Sequence, residues 1–306
     1  MELDGLHHVT MITADAPRCV EFYSDLLGLR LVKKTVNFDS PDVYHLYFGD
    51  ERGAPGSILT WFEFPDAAPG RPGAGMIHRL ELGVASVDSL GFWEERLGAR
   101  GYTPRREGDA LHFADYDGLD FALVPAAAAG NEPLRARHPK IPAEHAITGI
   151  EGARAYGLGG DGEARHLLLT EVLGFEAPGA DTYRVRGEHR GFDFVYDPPP
   201  EAPGLQGAGS VHHVAFACQD ADQLEWQRRV GEAGAAVTEV LDREYFESIY
   251  FREPEGVLFE IATLSPGFAV DEDGVHLGEA LKLPPQYEAN RAQLEGLLTP
   301  LPAPRS

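Results

Sequence analysis

The feature that most constrains this chain is a repeat. Adjacent histidines behind a lone aliphatic residue open "LHHVTM" at 6–11 and "VHHVAF" at 211–216. Twelve histidines in 306 residues would supply about half of one such pair by chance. Laying the two segments over each other exposes two weaker copies between them. The four copies run from "LHHVTMIT" to "GSILTWFEF" (6–64), "IHRLELGV" to "GLDFALV" (77–124), "EHAITGI" to "GFDFVYD" (144–197) and "VHHVAFAC" to "GVLFEIAT" (211–263). In this alignment His8, Arg79, Ala146 and His213 share a column, at separations of 71, 67 and 67 residues.

Each copy reads alike. An alternating or apolar strand is followed by a polar helix, such as "APRCVEFYSDLLG" or "DSLGFWEERLG", and the helices are expected to end at Gly28, Gly98, Gly174 and Gly234. Two or three further strands close each unit. Pro-, Gly- and Ala-rich separators lie at 65–75, 126–142 and 198–209, and the longest divides the chain into two halves. These signals predict modules over 1–64, 76–125, 144–198 and 211–264, and a tail over 265–306 in which "LPPQYEANRAQLEGLL" forms a helix. Four βαβββ units resemble the vicinal oxygen chelate (glyoxalase, bleomycin resistance, extradiol dioxygenase) superfamily. That resemblance implies an α+β fold: four modules paired into two glyoxalase-like sheet cups, units one and four sharing the active one. The superfamily hosts several chemistries, so the fold leaves the activity open.

Bulk properties exclude several classes. A formal charge of −23 argues against nucleic-acid and anionic-membrane partners, which rest on Lys and Arg. No stretch approaches a membrane span, and "MELDGLHHV" lacks the basic-then-apolar pattern of a leader, so a cytoplasmic protein is expected. Cys19 and Cys218 are too few for a disulfide framework or a zinc ribbon.

Two columns could carry metal ligands on the concave side of a cup. The first holds His8, Arg79, Ala146 and His213; the second, four residues past the glycine of each closing strand, holds Thr60, Ala122, Val195 and Glu260. Only His8, His213 and Glu260 are plausible donors. A lone strand histidine is ordinarily a hydrogen-bonded structural residue, but two in matched columns beside a carboxylate describe a facial triad. Such a site suits non-haem Fe(II), with Mn(II) fitting the same donors and positions left for substrate and O₂. Glu260 also lies in "VLFEIAT", where an unpartnered carboxylate would be costly; a metal, Arg243 or Arg252 would serve it. Strand alternation points His7 and His212 away from this face and keeps Thr10 on it. His78 and His145 share the His7 column, and His45 is a candidate pocket-lining residue.

Three segments narrow the likeness: "LGLRLVKKTVNFDSPDVYHLYFGDERGAPGSILTWF" at 27–62, "SVHHVAFAC", and "DREYFESIYFREPEGVLFEIAT" at 242–263. Together with the tail at 266–285, they resemble bacterial ring-cleaving dioxygenases that act on hydroquinones. The resemblance implies a non-haem Fe(II) or Mn(II) enzyme of extradiol type, with His8, His213 and Glu260 as ligands. It implies catalytic support from His7, Thr10, His212, Arg243 and Tyr250. A small aromatic diol is the expected partner, and a homo-oligomer is compatible with the sequence. Two rivals stand beside this reading. A metal-dependent isomerase or lyase acting on a thiol adduct would want another donor near Thr60. A metal-free binding protein would tolerate replacement of all three candidate ligands.

Overall fold

The computed structural model describes residues 1–126, 131–159, 162–188 and 190–304. Positions 127–130 of the mid-chain separator, 160–161 and 189 in the third copy, and 305–306 in the tail lie outside the described residues. The strands form two curled sheets of eight. The first takes its strands from copies one and four: β1 (Leu6–Thr13), β2 (Arg30–Asn37), β3 (Ser40–Gly49) and β4 (Ile58–Glu63), with β13 (Ser210–Cys218), β14 (Leu241–Asp242), β15 (Glu247–Arg252) and β16 (Leu258–Thr263). The second takes its strands from copies two and three: β5 (Ile77–Val84), β6 (Arg105–Glu107), β7 (Ala110–Ala114) and β8 (Asp120–Pro125), with β9 (Ile150–Tyr156), β10 (Glu176–Gly179), β11 (Thr182–Arg186) and β12 (Gly191–Asp197). Each sheet is closed at its centre by an antiparallel pair of opening strands, β1 with β13 and β5 with β9. This is the α+β, paired-cup architecture that the superfamily resemblance implies.

Alternation along the strands assigns the faces. Val9 and Met11, Leu46 and Phe48, Leu59 and Trp61, and Phe259 and Ile261 enter the large apolar core. Their neighbours His8, Thr10, His45, Tyr47, Thr60 and Glu260 take the opposite, concave side. The helices pack into the core between the sheets. Helix α1 (Ala16–Val20) continues as a π-helical turn over Glu21–Leu26. There the Tyr23 ring lies 3.8 Å from Trp61 and 6.0 Å from Phe121 of the other sheet. Trp93 of α2 (Ser89–Gly98) and Trp226 of α4 (Gln223–Glu232) are buried in the same way. A short α3 (Glu163–Leu167) serves the third copy. The tail ends in a 3₁₀ turn over Pro285–Asn290 followed by α5 (Arg291–Leu297), so only the second half of the expected tail helix is α-helical. The tail is held to the first sheet by Lys33, whose buried ammonium pairs with Asp271 and Glu272. No helix among the described residues is long and apolar enough to cross a membrane.

Three expectations are corrected. Gly28, Gly174 and Gly234 have positive φ, as glycines ending helices do, but after α2 the left-handed residue is Gly101 (φ 83°), not Gly98. The third opening strand begins at Ile150, so the residue aligned with His8 is Gly152 rather than Ala146. His145 accordingly lies before the strand, stacked on Phe92 at 4.8 Å, and is no counterpart of His7.

Candidate functional site

His8 of β1 and His213 of β13 sit on the two central strands, and Glu260 projects from β16 beside β13. Their donor atoms lie within 4.8 Å of one another. The two Nε2 atoms are 3.3 Å apart, and Glu260 Oε2 lies 3.3 Å from His8 Nε2 and 2.8 Å from His213 Nε2. All three side chains are buried, Glu260 completely. Glu260 Oε1 accepts a hydrogen bond from Ser248 Oγ, whereas Oε2 has no aligned hydrogen bond despite its close contacts. Burial alone would raise the Glu260 carboxyl, yet His8 and His213 hold it well below the usual carboxylate range. Burial lowers His213 below the usual imidazole range, against the raising effect of Glu260. An orphaned carboxylate oxygen converging with two imidazole nitrogens is the donor chemistry a divalent cation requires.

Alternation fails at the paired histidines, for an identifiable reason. In the β1–β13 ladder Leu6 opposes Phe216 while His8 opposes Ala215, leaving His7 as the extra residue of a β-bulge. Farther along, Thr10 opposes His213 while Met11 opposes Val211, leaving His212 extra on the partner strand. The expectation that His7 and His212 point away from the ligand candidates is therefore overturned. His7 Nδ1 lies 2.9 Å from His8 Nδ1, and His212 Nδ1 lies 2.7 Å from His213 Nδ1. Burial, with the neighbouring histidine, depresses His7 and His212 to about 3, so both rings are neutral. When such a ring accepts the Nδ1 hydrogen of its neighbour, the neighbour's Nε2 lone pair is left facing the cluster. This is how outer partners orient metal-binding histidines. The second sheet repeats the bulges at His78 and Glu151, but there ion pairs replace ligand donors. Arg79 pairs with Asp120, and Arg154 and His78 pair with Asp197. His8, His213 and Glu260 form the one cluster of metal-donor geometry among the described residues.

Above the cluster opens a cavity of about 310 Å³, walled by Phe38, Phe62, Phe64, Leu241, Phe246 and Leu258. Its polar lining includes His8, Thr10, His45, Tyr47, His212, His213, Arg243 and Tyr250, with Asn37, Asp39 and Thr238 also on the wall. Tyr250, opposite Glu260 in the β15–β16 ladder, accepts from Arg243 Nε at 3.2 Å. Burial, and then Glu260, push its phenol far up, so it is a donor and not an anion. Arg243 also reaches Asp39 at 3.4 Å, at the tip of the β2–β3 hairpin. Arg252 binds Gly256 O instead of Glu260. Thr60, in the column where a fourth donor would stand, is engaged by Thr10 and His45. Sequence reasoning missed Ser248 and Phe246. Ser248 was legible, because it shares strand parity with Tyr250. Phe246, whose ring lies 4.8 Å from His7 and 5.2 Å from His8, precedes β15 and carries no periodic signal.

Two sheet cups, one with a buried His-His-Glu cluster that could hold a metal ion, define a protein of the paired βαβββ class. The chain belongs to the glyoxalase/bleomycin resistance protein/dioxygenase superfamily, whose model matches residues 5–123 and 168–261. It is 41% identical to MhqE of Bacillus subtilis (strain 168), provisionally named a ring-cleaving dioxygenase, over 98% of this chain and all of that one. It is 34% identical to the chlorohydroquinone/hydroquinone 1,2-dioxygenase of Sphingobium indicum, over 95% of both. A crystal structure of a provisionally named dioxygenase from Bacillus subtilis superposes with a TM-score of 0.87, at 38% identity and 98% coverage of each chain. Glyoxalase I from Zea mays shares the fold alone, with a TM-score of 0.58 at 13% identity over 90% of this chain and 96% of that one.

Proposed function

We propose that the protein is a ring-cleaving dioxygenase of extradiol type that inserts O₂ into a hydroquinone-type, para-dihydroxy aromatic ring. In this reading His8, His213 and Glu260 hold Fe(II), with Mn(II) suiting the same donors. The observation that carries it is a three-donor cluster at the floor of an apolar-walled cavity sized for a single ring. The names of the Bacillus and Sphingobium relatives support the same choice of chemistry.

When bound, the metal supplies Lewis acidity toward a substrate hydroxyl and a redox partner for O₂. The chain's own residues do the rest. Phe62 and Phe246 flank the ring, while His7 and His212 keep the ligand imidazoles oriented. The Tyr250 hydroxyl, its oxygen already accepting from Arg243, keeps its hydrogen for an oxygen atom of the substrate as charge develops there. An isomerase acting on thiol adducts would need a further donor where Thr60 stands, and that hydroxyl is already committed.

Oxygen uptake by anaerobically purified, Fe(II)-loaded protein tests this reading. Hydroquinone, methylhydroquinone, chlorohydroquinone and catechol would be offered to wild type and to Glu260→Ala. Uptake with a para-diol, a ring-opened product, and silence in the variant are expected. No uptake from any diol by protein holding one metal per chain would reject the proposal.

A further inference from the structure

Thr10 lines the cavity at the end of a hydrogen-bonded chain. Thr60 Oγ1 donates to Thr10 Oγ1 at 3.1 Å, His45 Nε2 lies 2.8 Å from Thr60 Oγ1, and the Tyr47 hydroxyl lies 2.9 Å from His45 Nδ1. The four residues share the concave face of three adjacent strands: Thr10 opposes Thr60 across β1 and β4, and Tyr47 opposes Thr60 across β3 and β4. All four are buried, Thr60 completely.

Counting hydrogens fixes the direction of every bond. Thr60 has one hydroxyl hydrogen and gives it to Thr10, so it must accept from His45, which places a hydrogen on His45 Nε2. Burial holds His45 well below the usual imidazole range and so keeps it neutral. Its Nδ1 is therefore bare, and Tyr47 donates to it. All the hydrogens point the same way, toward Thr10. Among the described residues no protein group accepts the Thr10 hydroxyl hydrogen, which is left for the cavity.

We propose that Tyr47, His45 and Thr60 form a positioning chain that holds Thr10 as a hydrogen-bond donor, so that the cup selects an anionic oxygen: the ionised hydroxyl of an aromatic diol. The identity of that ligand rests on the dioxygenase reading; the polarity of the chain does not. Donors aligned before the ligand arrives need no reorganisation, and bonds in a chain polarise one another. Reversing one link would turn Thr10 into an acceptor and favour a neutral phenol instead.

Two measurements test this. Imidazole ¹⁵N NMR of metal-free protein should show His45 with its hydrogen on Nε2, a preference kept in Thr60→Ser and lost in Thr60→Val. Binding of nitrohydroquinone anion to anaerobic, metal-loaded protein, followed by absorbance, should weaken about tenfold in Thr60→Val and Tyr47→Phe, the scale of one hydrogen bond. Thr60→Ser should restore it, and the dimethyl ether of the same probe should bind all variants alike. A His45 hydrogen on Nδ1 in wild type would overturn the proposal. So would equal losses for Val and Ser, or for anion and ether. If these signatures hold but no diol supports oxygen uptake, the positioning chain stands and the ring-cleavage reading falls.

Discussion

At the scale of single residues, chemistry resides in who holds whom. Glu260 is fully buried, with one oxygen bound to Ser248 and the other turned to two imidazoles. Removing the serine hydroxyl leaves the carboxylate free to rotate away from the cluster. Ser248→Ala should therefore lower metal affinity by about 10–100-fold, the usual effect of losing an outer partner of a ligand. Chelator competition followed by metal analysis would measure it, and unchanged affinity would make Ser248 a bystander. The three candidate ligands were legible because matched columns carry them through the repeat. Ser248 was not singled out, since a serine in an apolar strand reads as ordinary polar relief.

At the scale of elements, small irregularities decide the site. Period-two alternation correctly separates His8 from Val9, and Glu260 from Phe259 and Ile261. It misassigns His7 and His212 because the bulges that admit them exist only in the pairing of β1 with β13. No local sequence signal marks those bulges, whereas the turn at Gly28 is marked plainly. Gly28 has φ 77°, and a Cβ built there would lie 2.4 Å from Ile141 Cδ1. The Ile141 tip can yield but the backbone cannot, so Gly28→Ala should destabilise the protein by about 1–2 kcal/mol. Urea unfolding would show it as a lowered midpoint at unchanged slope.

At the scale of the whole molecule, the two sheets meet through buried polar groups as well as aromatic packing. Asp115, in the second sheet's half, accepts from Tyr23 of the first at 2.6 Å. Burial raises its pKa from 3.8 to about 6, against the lowering effect of the Tyr23 and backbone hydrogen bonds. A carboxyl raised in the folded state binds its proton more tightly there than in the unfolded chain. Its contribution to stability is full below pH 3.8 and is lost as pH rises to about 6. Across that window the stability of wild type relative to Asp115→Asn should fall by about 2–3 kcal/mol. Denaturant titrations of both proteins between pH 4 and 7 would measure the difference; a constant gap would show that Asp115 is ionised throughout.

The sequence by itself determined the module, its four-fold recurrence, the alternating faces and the three candidate donors. Those properties are written in local periodicity and in columns that recur with the repeat. The tertiary structure decided what depends on strands distant in the chain. It set Gly152 as the third member of the ligand column, turned His7 and His212 onto their neighbours, and filled the second cup with ion pairs. It also joined Tyr47, His45, Thr60 and Thr10 into one directed chain. Register, bulges and hydrogen-bond polarity arise between strands, so no window of sequence contains them.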